Sequence, residues 1–162
     1  MAMDLNQPEY VVEGELSKHG TYAANTTGVS MRPLFKTHRD VAVLKKPDRD
    51  LRKYDVVLYT GASHKYILHR IIGVRDDCFI IRGDNTFIKE YVSRDKILAY
   101  LVSFNRKGKH HTVDELGYMT SVVNEMLTDL TGKEALNVFV LFHLSLEFLP
   151  LAIRICLKEL LV

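Results

Sequence analysis

Short apolar runs separated by turn-forming residues dominate the middle third of the chain. Each run is rich in β-branched or aromatic residues, and turn signals such as Pro47-Asp48, Thr60-Gly61 and Gly83-Asp84-Asn85 bound them. The predicted strands cover residues 41–44, 56–59, 66–72, 78–81 and 97–104. Because no helical pattern separates these strands, their spacing predicts a mainly β fold, either a coiled antiparallel sheet or a small barrel.

Helical patterns are confined to the two ends of the chain. Residues 8–18 predict a short N-terminal helix that ends near Gly20. From Gly117 onwards apolar residues recur at helical spacing, which predicts C-terminal helices. We therefore expect an α+β chain overall, with a β domain over residues 1–108. Residues 109–162 are expected to form a helical extension packed on that domain or on a partner.

The segment 135–162 is the most apolar part of the sequence. Its large side chains cover more than one helical face, so one buried face would not satisfy it. Charged residues interrupt it and argue against a bilayer span. The pattern predicts a homo-oligomer or a peripheral membrane contact through residues 135–162, with packing on the sheet as the alternative.

Composition excludes several classes of protein. The net charge of +2 is too small to predict nucleic-acid binding, although residues 32–53 hold eight Lys or Arg against three Asp, and residues 106–111 form a second basic run. These runs are typical of solvated loops, or of attraction to an anionic membrane or an acidic partner. The two cysteines lie outside any CxxC or Cys/His cluster, so we expect no disulfide framework, no metal and no cofactor. The first residues lack the features of a secretory signal, which predicts a cytoplasmic location, with membrane contact only peripheral.

The first segment with a candidate catalytic residue is Gly28-Val29-Ser30-Met31-Arg32-Pro33. The glycine permits an unusual backbone geometry, and the proline suits the first turn of a helix, which would place Ser30 at a helix N-terminus. Backbone N–H groups there can stabilise an oxyanion. Ser30 is thus a candidate nucleophile, and it is equally a candidate helix N-cap.

A serine nucleophile needs a base and, in a triad, an acid that orients that base. His69 lies inside an apolar predicted strand, where it is a candidate base or a core histidine. Asp84, in the turn Arg82-Gly83-Asp84-Asn85, is the carboxylate that we expect to orient the imidazole.

The order of these motifs resembles the S24/S26 serine peptidase superfamily, which includes type I signal peptidases and self-cleaving SOS-response repressors. Gly-x-Ser-Met-x-Pro is followed by Asp55-Val56-Val57-Leu58-Tyr59, then by a strand with His69-Arg70-Ile71-Ile72, then by Gly83-Asp84-Asn85. The resemblance covers about residues 20–104 and implies the fold of that superfamily. It implies that Ser30 is the nucleophile and that His69 replaces the lysine base of many bacterial members, with Asp84 as orienting acid.

The sequence departs from the superfamily in three features. Signal peptidases commonly carry a serine where Gly28 stands, so the oxyanion would depend on the backbone at Gly28, Ser30 and Met31. We see neither the usual N-terminal membrane anchor nor room for the helix-turn-helix of a repressor. The closest resemblance is to short, stand-alone bacterial members.

The predicted function is peptide-bond hydrolysis through an acyl-enzyme, with an extended peptide or protein as substrate and no nucleic acid as partner. The alternative is a catalytically inactive peptide-binding or assembly module on the same fold.

Overall fold

The strands predicted from the sequence form one sheet. The computed structural model of the protein describes residues 3–4, 9–61, 65–115 and 118. These residues contain one α-helix, one turn of 3-10 helix (Arg94–Lys96) and nine strands. In chain order the α-helix and strands are β1 (Met3–Asp4), α1 (Glu9–His19), β2 (Thr21–Asn25), β3 (Val41–Lys45), β4 (Val56–Thr60), β5 (Tyr66–Val74), β6 (Cys78–Arg82), β7 (Glu90–Ser93), β8 (Ile97–Arg106) and β9 (Lys109–Thr112).

The sheet is antiparallel apart from one short pair. Its strand order is β1-β2-β3-β8-β4-β5-β6-β7, with β9 paired to β8, and only β1 and β2 run parallel. The sheet curls, and the described residues are mainly β with a single α-helix, which confirms the predicted fold class and the N-terminal helix. All described residues belong to one compact unit, Met1–Val122.

Burial on the two faces of the central strands explains the register. Val57, Tyr59 and Ile71 pack in one cluster with Phe79 and Ile81, while Leu58 and Leu68 alternate onto the opposite face. A shift of one residue would exchange these two faces, so the apolar pattern fixes the pairing. In that register His69 lies opposite Val57, which puts its side chain on the face that carries Tyr59.

Four strands lie outside the five that the sequence predicted: β1 and β2 near the N-terminus, and β7 and β9, in which polar residues interrupt the apolar pattern. The basic run 106–111 is a hairpin: Lys107 and Gly108 turn with positive φ angles of 51° and 77°, and β9 returns along β8. Two successive positive φ values are typical of the tight turn that matches the twist of paired strands. β7, with the sequence Glu-Tyr-Val-Ser, lies at one edge of the sheet and buries only Val92 of its four residues.

The C-terminal helices and the contacts predicted for residues 135–162 lie outside the described residues. The same holds for most of the predicted extension 109–162, of which residues 109–112 form β9. Within the described part of the chain, no helix has the length and apolar character that a bilayer span requires.

Candidate active site

Ser30 lies in a loop between β2 and β3, where its backbone follows turns. Residues 30–34 do not form the helix that the sequence predicted. The physical reason is Pro33, because a proline disfavours helical dihedral angles at the residue before it, here Arg32. The N–H of Arg32 donates to the carbonyl of Val29 (3.2 Å), and that of Phe35 donates to Met31 (2.9 Å).

The backbone at Gly28 has the unusual geometry that the sequence predicted, with a φ angle of +79°. Residues with a side chain rarely adopt a positive φ angle, whereas glycine does so without steric cost. The Gly28 carbonyl accepts a hydrogen bond from the Thr37 hydroxyl, which ties the start of the loop to its later part. Among the described residues, the backbone N–H groups of Ser30 and Met31 have no acceptor. Two such donors beside a half-buried serine are suited to bind a negatively charged oxygen.

His69 is buried in β5 and is held on one side of its ring. Its side chain is 11% exposed, and Nδ1 lies 3.2 Å from Oε1 of Glu90 and 3.3 Å from the Tyr59 hydroxyl. The Tyr59 hydroxyl donates to the same Glu90 oxygen at 2.7 Å. Nδ1 therefore faces two acceptors, which favours the tautomer with the proton on Nδ1 and the lone pair on Nε2.

The carboxylate beside the imidazole differs from the one that the sequence predicted. Both oxygens of Asp84 accept from Arg70, at 2.8 Å from Nε and 2.7 Å from Nη2. Arg70 is fully buried and the Asp84 side chain is 4% exposed, so this pair is mutually neutralised in the interior. Asp84 acts on His69 only as a nearby charge, and Glu90 takes the position at Nδ1.

The turn after β6 joins the histidine to the serine loop. The backbone N–H of Asn85 donates to the Ser30 carbonyl (2.7 Å), and the Asn85 side-chain amide donates to the Val29 carbonyl (3.2 Å). A methyl group added at Gly83 would lie 2.8 Å from the Ser30 carbonyl oxygen and 2.9 Å from Nε2 of His69. The serine backbone and the free side of the imidazole therefore meet at Gly83. Within the described residues, no hydrogen bond joins the Ser30 hydroxyl to the imidazole.

Burial sets the charge of the histidine. Removal from water lowers the pKa of the His69 imidazole below its usual value of 6.5, against the attraction of Glu90 and Asp84, which raises it. The ring is therefore neutral at pH 7, with Nε2 able to accept a proton.

A cavity of about 180 Å³ opens beside Ser30. It is lined by the serine loop and by the first residues of β5: Thr26, Thr27, Gly28, Ser30, Met31, Phe35, Tyr66, Ile67 and Leu68. In the strand register β6 begins to pair with β5 only at Arg70. Within the described residues, Ile67 and Leu68 therefore have no strand partner on the β6 side.

Comparison with known proteins finds sequence similarity to a signal peptidase. Signal peptidase I V of Bacillus subtilis (strain 168) is 29% identical over 89 residues. This chain is similar to a signal peptidase. The match covers 54% of the chain and 52% of the relative, so the chain spans about half the length of that protein. No family model matches the sequence. The similarity supports a relation to the signal peptidases at the level of the family.

Proposed function

We propose that the protein is a serine endopeptidase of the signal-peptidase kind, with Ser30 as nucleophile and His69 as general base. The observation that carries this proposal is the buried imidazole, whose Nδ1 contacts Glu90 while Nε2 faces the serine loop at Gly83. Acyl transfer by a serine requires a base that a carboxylate orients, and here such a base lies close to the serine loop. The similarity to a signal peptidase supports the same chemistry.

In the proposed reaction, Ser30 Oγ attacks the peptide carbonyl carbon while its proton passes to Nε2 of His69. The C–N bond then breaks, and His69 returns the proton to the leaving amine. Water hydrolyses the resulting ester by the same route. Glu90 stabilises the imidazolium formed in each step, and the N–H groups of Ser30 and Met31 bind the oxyanion.

The cavity and the free edge of β5 indicate how a substrate would bind. An extended peptide can add as a strand alongside Ile67 and Leu68, with main-chain hydrogen bonds supplying affinity. One of its side chains would then enter the cavity beside Ser30, whose lining includes Met31, Phe35 and Leu68. We propose that this side chain is small, because the cavity has a volume of only about 180 Å³ and polar and apolar residues line it together.

A fluorophosphonate probe tests the reaction directly, because it labels only an activated serine. We expect the full chain to label and Ser30→Ala to lose labelling and peptide cleavage by several powers of ten, with its thermal unfolding unchanged. Ser103→Ala, which removes a serine hydroxyl from β8, is the matched control and should label like the unmodified chain. Labelling of Ser30→Ala at the full rate would refute the mechanism.

The second candidate is a peptide-binding module without catalysis. The observation that favours it is the missing hydrogen bond between Ser30 and His69 within the described residues, although catalytic hydrogen bonds often tighten only when substrate binds. An inactive module would fail to label while still binding an extended peptide. Labelling that requires Ser30 excludes it.

A further inference from the structure

Tyr59 contacts the proposed catalytic base and its carboxylate at once. Its hydroxyl donates to Oε1 of Glu90 at 2.7 Å and lies 3.3 Å from Nδ1 of His69. The ring is 1% exposed and packs in the core cluster with Val57 and Ile71, so the position of the hydroxyl is fixed by the sheet. A buried tyrosine hydroxyl usually finds a partner, and here both partners belong to the site.

Glu90 needs a second contact to remain at the imidazole. It is the first residue of the edge strand β7, and its side chain is 35% exposed. A long, half-exposed glutamate has several accessible rotamers, and those that turn its carboxylate towards solvent would remove it from Nδ1. Within the described residues, the hydroxyl of Tyr59 is the hydrogen-bond donor that holds Glu90 Oε1 against the ring.

The hydroxyl of Tyr59 has one proton, which defines its roles as donor and acceptor. Its one proton goes to Glu90, so its oxygen can only accept from the Nδ1–H of His69. Burial and the neighbouring Glu90 raise the pKa of Tyr59 above its usual value, so the hydroxyl stays protonated wherever the site works.

We propose that Tyr59 is a positioning residue that acts through Glu90, fixing the tautomer of His69 and stabilising its protonated form. This inference rests on the proposed function for its consequence in catalysis. Its structural content, the control of the His69 titration by Tyr59, can be measured without any substrate.

Other charged groups near the imidazole must be included in that measurement. Asp84, in the turn after β6, adds attraction, but Arg70 binds both of its oxygens. Arg82 lies opposite Arg70 in the register and therefore on the other face of the sheet from His69. On the Nε2 side, the imidazole meets Gly83 and the neutral carbonyl of Ser30. Glu90 is thus the charge that contacts the ring and that Tyr59 controls.

The test compares Tyr59→Phe with a matched variant, Tyr100→Phe. Tyr100 is another buried tyrosine of the same core cluster, and its hydroxyl donates to a carboxylate, Asp48, at 2.8 Å. NMR titration of the His69 ring in the full chain should show a lower midpoint in Tyr59→Phe, because Glu90 leaves the ring. Tyr100→Phe should titrate like the unmodified chain. An unchanged midpoint in Tyr59→Phe overturns the proposal.

A double-mutant cycle shows whether Tyr59 acts through Glu90. Glu90→Gln should lower the midpoint by itself, and adding Tyr59→Phe should then change it little further. Effects that simply add would also overturn the proposal. In the labelling assay Tyr59→Phe should slow the fluorophosphonate reaction about 10-fold, by analogy with the outer contacts that orient metal-binding histidines. If the unmodified chain does not label at all, the proposed function fails, while the titration still decides the role of Tyr59.

Discussion

Replacement of Gly83 by alanine tests the closest approach in the site. The added methyl group would lie 2.8 Å from the Ser30 carbonyl oxygen, 2.9 Å from Nε2 and 3.0 Å from Cδ2 of His69. Ordinary carbon–oxygen contacts are about 3.3–3.6 Å, so the backbone at Ser30 must move by roughly half an ångström or more. The same carbonyl accepts the N–H of Asn85 at 2.7 Å, and this hydrogen bond would be strained as well.

Both stability and reactivity should fall in Gly83→Ala. Overpacking of this kind costs about 1–3 kcal/mol, which corresponds to roughly 2–4 °C in Tm for each kcal/mol in a chain of this size. Displacement of Ser30 relative to His69, its proposed base, matters more for reactivity, because a shift of about 1 Å in a reacting group can cost about 100-fold in rate. We therefore expect fluorophosphonate labelling to slow by about 10- to 100-fold.

Thermal unfolding and labelling rates of the full chain measure the two effects, with Gly14→Ala as the matched control. Gly14 lies exposed in α1 with nothing within 4 Å of an added methyl group. Alanine there should stabilise the chain by about 0.5–1 kcal/mol through helix propensity and leave labelling unchanged. If the Tm and the labelling rate of Gly83→Ala equal those of the unmodified chain, the serine loop and the imidazole do not lie close together at Gly83.

Three further predictions follow from other contacts. Arg70→Met leaves the buried Asp84 carboxylate without its partner and should lower the free energy of unfolding in urea by about 3–5 kcal/mol; a loss below 1 kcal/mol would contradict the buried pair. The labelling rate should rise with pH and level off, and the midpoint of this rise should lie below pH 6.5. The reason is that burial lowers the pKa of His69 and only the neutral ring is a base. The same shift should lower stability as the pH falls below 6.5, since the unfolded chain takes up the proton first, and His69→Gln should weaken that dependence; a labelling midpoint above 7 would show that the ring is not desolvated. Lys107→Asn should raise Tm by an amount equivalent to roughly 0.5–1 kcal/mol, because asparagine tolerates the positive φ of this turn better than lysine; a lower Tm would mean that the lysine side chain stabilises the hairpin.

The sequence predicted the strands that are buried on both faces and missed those that lie at an edge. β4, β5 and β6 stand out because a buried strand is a run of apolar residues. In β7 and β9 the only buried apolar residue is Val92. The sequences of these two strands therefore resemble those of loops. β7 and β9 are strands because they pair with β6 and β8, and such pairing cannot be predicted from the local sequence.

The candidate nucleophile and base, Ser30 and His69, were predicted from an order of motifs that resembles a peptidase family, whereas the choice of the acid depends on competition between partners. Asp84 and Glu90 are both carboxylates that follow β6 in the chain, and the sequence prediction named only Asp84, in the tight turn. A signal was present, however, in Arg70. A cation inside an apolar strand requires a carboxylate, and Arg70 pairs in register with Arg82, directly before the turn that holds Asp84. Once Arg70 takes Asp84, Glu90 is the carboxylate left for the histidine.

The turn Gly83-Asp84-Asn85 links the serine loop, with its proposed nucleophile, to the sheet that carries the proposed base. Asp84 anchors the turn to β5 through Arg70, one residue from the histidine. Asn85 binds the carbonyls of Val29 and Ser30 from the other side, and Gly83 lets the two parts approach. A loop alone would leave the serine free to drift relative to His69, since loops are the more mobile parts of a fold. The geometry of the proposed site should therefore be more sensitive to changes in this turn than to changes in exposed residues of the serine loop such as Arg32, although Arg32 lies closer to Ser30 in sequence.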